Sequence, residues 1–270
     1  MRVGGLASEL YRYTATFQGW LLVAALTLLV GVLIPPTLLL SPIWPGVREV
    51  FSDLTHRALR FYIRGVLYMR IGVEGAERRP PGTRVLVANH QSWLDPLVLM
   101  GLEARLAGPA RRYMLRVPIF GTIVRLAGFF QSDIGELPSL EEVRRSVETA
   151  RARGGSLLFF PEGTRSQNGK VGAFHRGAFR TAFDHGLPIQ PVVIEGLDRV
   201  LPRKGPIVQT YGRTLVRVRY LEPIAPPSET DGTGLRRDIV RALADQTRGA
   251  IAEELEKMRA ERGTAMSPER

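Results

Sequence analysis

The chain has 270 residues, of which 44% are hydrophobic and 23% charged, a balance that allows a sizeable buried core and argues against disorder. It has no cysteine, which excludes a disulfide framework, a thiol nucleophile and a thiolate metal site. Its formal net charge of +11 points to a polyanionic partner: nucleic acid, an anionic membrane or an acidic carrier.

The placement of apolar residues separates these partners. Between Tyr13 and Val47 no Asp, Glu, Lys or Arg occurs, and Gly19 to Ile34 is almost wholly apolar. The run is long enough for a membrane segment, but Pro35-Pro36 predicts a break. It is read either as one helix that crosses the bilayer and ends near the prolines, or as a hairpin that dips into one leaflet. Trp20 and Trp44 flank it as interfacial anchors would. A signal peptide fits less well, because no small-x-small cleavage site precedes the charged sequence. Val50 to Met69 has helical spacing, with Leu54, Ala58, Phe61 and Tyr62 on one side and Arg57, Arg60 and Arg64 on another. This describes either a basic amphipathic helix on a membrane surface or a core helix with a solvated basic face. Arg48, Arg57, Arg60, Arg64 and Arg70 after the apolar run outnumber Arg2 and Arg12 before it, which predicts a cytoplasmic body.

From about Ile71 strands alternate with helices. Strands are predicted at 84–89, 112–115, 156–160, 189–194 and 216–221, and helices at 96–107, 119–127, 139–153, 173–185 and 235–262. Residues 222–233 read as a loop. The fold class is therefore α/β, a mixed sheet flanked by helices, with an N-terminal membrane-embedded helical segment. The organisation predicted is an anchor over 1–70, a catalytic domain over 71–262 and a disordered tail over 263–270.

Two motifs carry chemistry. In Asn89-His90-Gln91-Ser92-Trp93-Leu94-Asp95-Pro96 a strand ends, a turn follows and Asp95-Pro96 opens a helix. The turn can fold Asp95 back onto His90, fixing the imidazole tautomer and freeing the other nitrogen to take a proton. In Phe159-Phe160-Pro161-Glu162-Gly163-Thr164-Arg165-Ser166, Gly163 permits close approach of backbone to a ligand, and Arg165 offers a fork suited to phosphate oxygens. Glu162 is placed to orient Arg165 or to accept from a hydroxyl. Taken singly, Asp95 also reads as a helix cap and the Glu162–Arg165 segment as a tight turn with a surface ion pair.

Together these blocks resemble the glycerolipid acyltransferase family that contains the 1-acylglycerol-3-phosphate acyltransferases. His90 and Asp95 match its His-x4-Asp block, and Phe160 to Ser166 match its FPEGTRS block without change. Pro118-Ile119-Phe120-Gly121, Phe174 to Phe179 and Pro188 to Val193 match further blocks in family order, and the resemblance covers about Val73 to Ile224. It implies that His90, held by Asp95, is the catalytic base. It also implies that Glu162, Gly163, Thr164 and Arg165, with the basic pair Arg111-Arg112, bind the acceptor's phosphate. The implied reaction moves a fatty acyl group from acyl-CoA or acyl carrier protein to the hydroxyl of a lysophospholipid, with membrane lipids as partners, no nucleic acid, no metal and no cofactor. One departure stands out: where the family often carries an arginine, this chain has Ile134. That leaves Arg165, Arg111 and Arg112 to hold the phosphate, or else an acceptor of another kind, such as lyso-ornithine lipid. A membrane-tethered binding protein without catalysis is the rival class.

Overall fold

The computed structural model describes residues 2–133, 139–203, 205–227 and 236–265. Its centre is a seven-stranded sheet in the order β1-β7-β6-β2-β5-β3-β4. The strands are β1 (Met69–Glu74), β2 (Val85–Ala88), β3 (Leu106–Ala110), β4 (Phe129–Gln131), β5 (Ser156–Phe159), β6 (Ile189–Glu195) and β7 (Thr214–Tyr220). All pairings are parallel except that between β6 and β7, so the sheet is mixed, as the sequence predicts.

The side chains of the central strands alternate between two cores, as the period of a strand requires. Leu86 and Ala88 of β2 face one core, where they meet Tyr62, Ile63, Val98 and Leu99. Val85 and Val87 face the other, with Phe179, Leu243 and Ile251. The first core is covered by α1 (Arg2–Gly31), α3 (Val47–Gly65) and α4 (Asp95–Leu102). The second is covered by α7 (Leu140–Ala152), α8 (Gly177–His185) and α10 (Arg236–Ala265). The short helices α2 (Ile34–Leu40), α5 (Arg112–Leu115), α6 (Phe120–Leu126) and α9 (Leu197–Val200) complete the α-helices among the described residues.

The front end is one long apolar helix, α1, followed after a short turn by the short helix α2. Gly5–Leu40 is long and apolar enough to cross a membrane, and little of it is buried in the body. The break falls at Val32-Leu33, before the prolines. Pro35 and Pro36 lie in the first turn of α2, where a missing N–H costs nothing. Yet α1 does not leave the body. Tyr11 Oη donates to Leu67 O at 2.8 Å, Arg12 Nε to Val208 O at 3.1 Å and Trp20 Nε1 to Pro206 O at 2.9 Å. Close approach is possible because Gly19 and Gly31 lack side chains. A Cβ on either would come within 2.6 Å of Tyr68 Cε1 or Ile119 Cγ2. The opposite face of α1, with Leu10, Phe17, Leu21 and Leu28, is exposed. The helix α3 serves two purposes: Phe51, Tyr62 and Ile63 are buried, while Leu54 and Phe61 stay exposed beside Arg57, Arg60 and Arg64.

Several predicted boundaries need correction. The helix expected over 96–107 ends at Leu102, and its last residues enter β3. The strand expected over 112–115 is the single helical turn α5. The helix expected over 173–185 begins at Gly177. A boundary at 70/71 would cut β1, and α10 continues through Ala265, three residues into the expected tail. By contrast α7 begins at the expected cap. Ser139 Oγ accepts from Glu142 N at 3.1 Å while the Glu142 carboxylate accepts from Ser139 N at 3.2 Å, a capping box. Ile134 lies outside the described residues.

Candidate active site

The two motifs follow the C-terminal ends of β2 and β5, neighbouring parallel strands at the middle of the sheet. In open α/β sheets the crevice outside the carboxyl ends of such strands is the usual ligand site. Asn89 closes the first strand by gripping β6: its amide donates to Ile194 O at 2.9 Å and accepts from Ile194 N at 2.8 Å.

The following turn is organised around one oxygen. Asp95 Oδ2 accepts from Gln91 N at 2.5 Å, Ser92 N at 2.7 Å and His90 Nδ1 at 2.7 Å. Asp95 is completely buried, and it is the first residue of α4 rather than its cap, which is Leu94. A carboxylate accepts, so Nδ1 carries the proton and Nε2 keeps its lone pair. Ser92 Oγ anchors the turn from below by donating to Leu201 O at 2.7 Å.

The second motif brackets the histidine. The Phe160 ring stacks on the imidazole, with centroids 4.4 Å apart and planes at 29°. Glu162 Oε1 accepts from His90 N at 2.9 Å, and Ser166 N donates to His90 O at 2.8 Å. Burial, first of all, raises the Glu162 pKa; the N–H groups of Gly172 and His90 oppose it. Gly163 adopts the left-handed conformation, φ 65°. Its N–H donates within the turn to Phe160 O at 3.0 Å, and its carbonyl accepts from Arg111 Nη2.

These contacts revise the roles read from the sequence. Both oxygens of Glu162 hold backbone, Oε2 accepting from Gly172 N at 2.9 Å, so the carboxylate fastens the loop instead of orienting Arg165. The Gly163 amide is used by the turn, and Arg111 grips the carbonyl of that same residue. Arg112 pairs with Asp133 at 3.1 Å. Thr164 and Arg165 line the cavity with His90. The Arg165 guanidinium lies over the Trp93 ring, 4.3 Å from its centroid, and donates to Arg203 O at 3.3 Å. Burial and then the Arg203 charge hold its pKa below the usual arginine value. Trp93, Phe160, Ser166 and Arg203 are site residues that sequence reasoning did not single out. Three of them stand inside the motifs themselves, which was the available signal.

The cavity has a volume of about 2290 Å³. From His90 it runs into an apolar arm lined by α1, α3, α4 and α6, including Ala24, Leu59, Leu97 and Ile123. Ile119, in that wall, has φ 63°, a strained value for a β-branched residue, and packs against Gly31.

A family model described as Acyltransferase matches residues 70–195. The 1-acyl-sn-glycerol-3-phosphate acyltransferase alpha of Bos taurus is 35% identical over 210 residues, which is 76% of this chain and 69% of that protein. The chloroplastic 1-acyl-sn-glycerol-3-phosphate acyltransferase of Arabidopsis thaliana is 29% identical over 199 residues. That match covers 70% of this chain, which spans only about half of the plant protein (50%). The crystal structure of the 1-acyl-sn-glycerophosphate acyltransferase of Thermotoga maritima superposes with a TM-score of 0.71 over 94% of this chain and 98% of the other, at 20% identity, and so shares the fold. By the match to the Bos taurus protein, this chain belongs to the acyltransferase family of the 1-acyl-sn-glycerol-3-phosphate acyltransferases.

Proposed function

We propose that the chain transfers a fatty acyl group from a thioester to the free hydroxyl of 1-acyl-sn-glycerol-3-phosphate, giving phosphatidic acid. The observation that carries this reading is the His90–Asp95 pair, a proton-bearing Nδ1 held at 2.7 Å with the ring lining a cavity that continues into an apolar arm. Nε2 takes the hydroxyl proton as the oxygen attacks the thioester carbonyl. The carbon–sulfur bond then breaks, and the proton passes from the imidazole to the leaving thiolate. The acyl chain of the donor lies in the apolar arm. The headgroup phosphate meets Arg165, whose fork matches two phosphate oxygens. The donor is acyl-CoA or acyl carrier protein.

The same reading places the protein on a membrane, with its body on the cytoplasmic side. The helix α1 touches the body from Tyr11 and Arg12 in its first half to Gly31 at its end. A helix held along its length in this way favours entry into one leaflet over a crossing that leaves the body behind, and the exposed apolar face of α1 is what lipid would cover.

The test is an acylation assay of the full chain in lipid, with a panel of lysolipids bearing phosphate monoester, zwitterionic and neutral headgroups, and with both thioester donors. Preference for the phosphate monoester is expected. Absence of transfer to every acceptor, or preference for a neutral headgroup, overturns the proposal.

A further inference from the structure

Arginines that hold an anion are commonly steadied by a carboxylate, which also cancels part of their charge. Arg165 is steadied differently. Among the described residues it has no ion-paired carboxylate, and its one side-chain hydrogen bond goes to a backbone carbonyl, that of Arg203. Its flat face rests on the Trp93 indole at 4.3 Å. Tyr113 in turn meets that indole edge-on, with centroids 6.1 Å apart and planes at 87°. The indole face attracts the cation without consuming a donor, so the remaining N–H groups of the fork and the full charge stay available.

Trp93 belongs to the turn that carries the base. The preceding residue, Ser92, is fixed twice, by its N–H on Asp95 Oδ2 and by its hydroxyl on Leu201 O. The turn that sets the His90 imidazole therefore also sets the surface on which Arg165 lies. We propose that Trp93 is a positioning residue: its indole, braced by Tyr113, holds the Arg165 guanidinium at a fixed distance from His90, so that an anionic headgroup bound there presents its hydroxyl to Nε2. This rests on the reading of Arg165 as the headgroup residue. The competing role for an aromatic residue in this cavity is a wall for the acyl chain, which would affect donor chain length instead of the acceptor's charge.

The experiment varies each substrate in turn with the full chain in lipid, for Arg165→Ala, Trp93→Leu, Trp93→Phe and the double variant Arg165→Ala/Trp93→Leu. Trp93→Leu is expected to raise the acceptor KM about tenfold while leaving the donor KM and donor chain-length preference in place. Trp93→Phe is expected to restore most of the loss. Adding Trp93→Leu to Arg165→Ala is expected to change the acceptor KM no further. A second measurement keeps the shape of the residue. With fluorinated tryptophan incorporated at position 93 alone, by nonsense suppression in the otherwise unaltered chain, each added fluorine weakens the attraction of the ring for a cation, and the acceptor KM is expected to climb with fluorine number. An acceptor KM that rises in Arg165→Ala but not in Trp93→Leu, or that ignores fluorination, overturns the positioning role and leaves the headgroup reading intact. An acceptor KM unmoved by Arg165→Ala overturns both, a distinguishable pattern.

Discussion

Glu162 and His90 are joined through the backbone: the carboxylate oxygen Oε1 accepts the His90 N–H at 2.9 Å, while the imidazole itself turns to Asp95. The two sequence motifs are thus one mechanical unit, with the second motif gripping the peptide of the residue whose side chain the first motif orients. Glu162→Gln would place an amide NH2 against one of two backbone donors. The expected result is a loss of about 1–3 kcal/mol in stability together with a lower kcat and an unchanged acceptor KM. Denaturant unfolding and steady-state kinetics on the same preparation check it. A raised acceptor KM with unchanged stability would return Glu162 to the role of a substrate contact.

His90→Ala is expected to cost about 10²–10⁴-fold in turnover with the fold preserved, because the ring is held by contacts that the alanine variant loses without opening a core. Asp95→Asn is expected to lower both turnover and stability. Three donors converge on Oδ2, so an amide keeps them only by placing its oxygen there, as a neutral and weaker acceptor, which leaves its NH2 at the buried Oδ1 position where no hydrogen-bond partner stands among the described residues. Circular dichroism and single-turnover acylation separate the two variants; equal stability in both would show that the convergence on Oδ2 is dispensable.

The acid stability of the protein is expected to reside at the β1–β7 edge. Arg217 and Arg219 of β7 bind Glu74 of β1 and Glu261 of α10. Hydrogen bonds from Arg219 and Arg217 lower the Glu261 pKa from 4.5 to about 2, and Arg217 lowers that of Glu74. A depressed folded pKa means that the stabilisation is complete above the unfolded value of 4.5 and is lost as pH falls toward about 2. Thermal unfolding across that window is expected to show a falling midpoint in the wild type and a flatter profile in Arg219→Gln. Parallel profiles would sink the assignment.

Deleting residues 1–47 is expected to do more than release an anchor. Ala15 and Val30 are buried, and Arg12 donates to Val208 O, so the truncation bares a face of the body. The truncated chain is expected to unfold at lower temperature in detergent and to keep only salt-sensitive lipid binding, through Leu54 and Phe61 with their neighbouring arginines. A truncated body as heat-resistant as the full chain would reduce α1 to a tether.

What could be read from the chain was whatever is local. The His90–Asp95 contact closes within one turn, and the order of buried strand, motif and helix announces itself through Val85 to Ala88 and Ser156 to Phe159. The cap at Ser139 likewise needs no distant partner. By contrast β3, Leu-Ala-Gly-Pro-Ala, has no β-branched residue, and only its pairing with β4 and β5 makes it a strand. Its neighbour Arg112–Leu115 looks extended, yet forms the helical turn that brings Tyr113 to Trp93. The partners of Arg111, Arg112 and Arg165 are likewise set by distant segments, Gly163, Asp133 and the loop at Arg203. Residue type suggested their chemistry, but spacing could not assign their partners.

The packing of α1 on the body has a thermodynamic side. One face of that helix lines the cavity through Trp20, Val23 and Ala24, and the other presents Leu10, Phe17 and Leu21 outward. The same helix is therefore both part of the cavity wall and the carrier of an exposed apolar surface. Attachment of the helix and completeness of the cavity wall are thus expected to be lost together, so that a change loosening α1 is expected to open the apolar arm beside Val23 and Ala24.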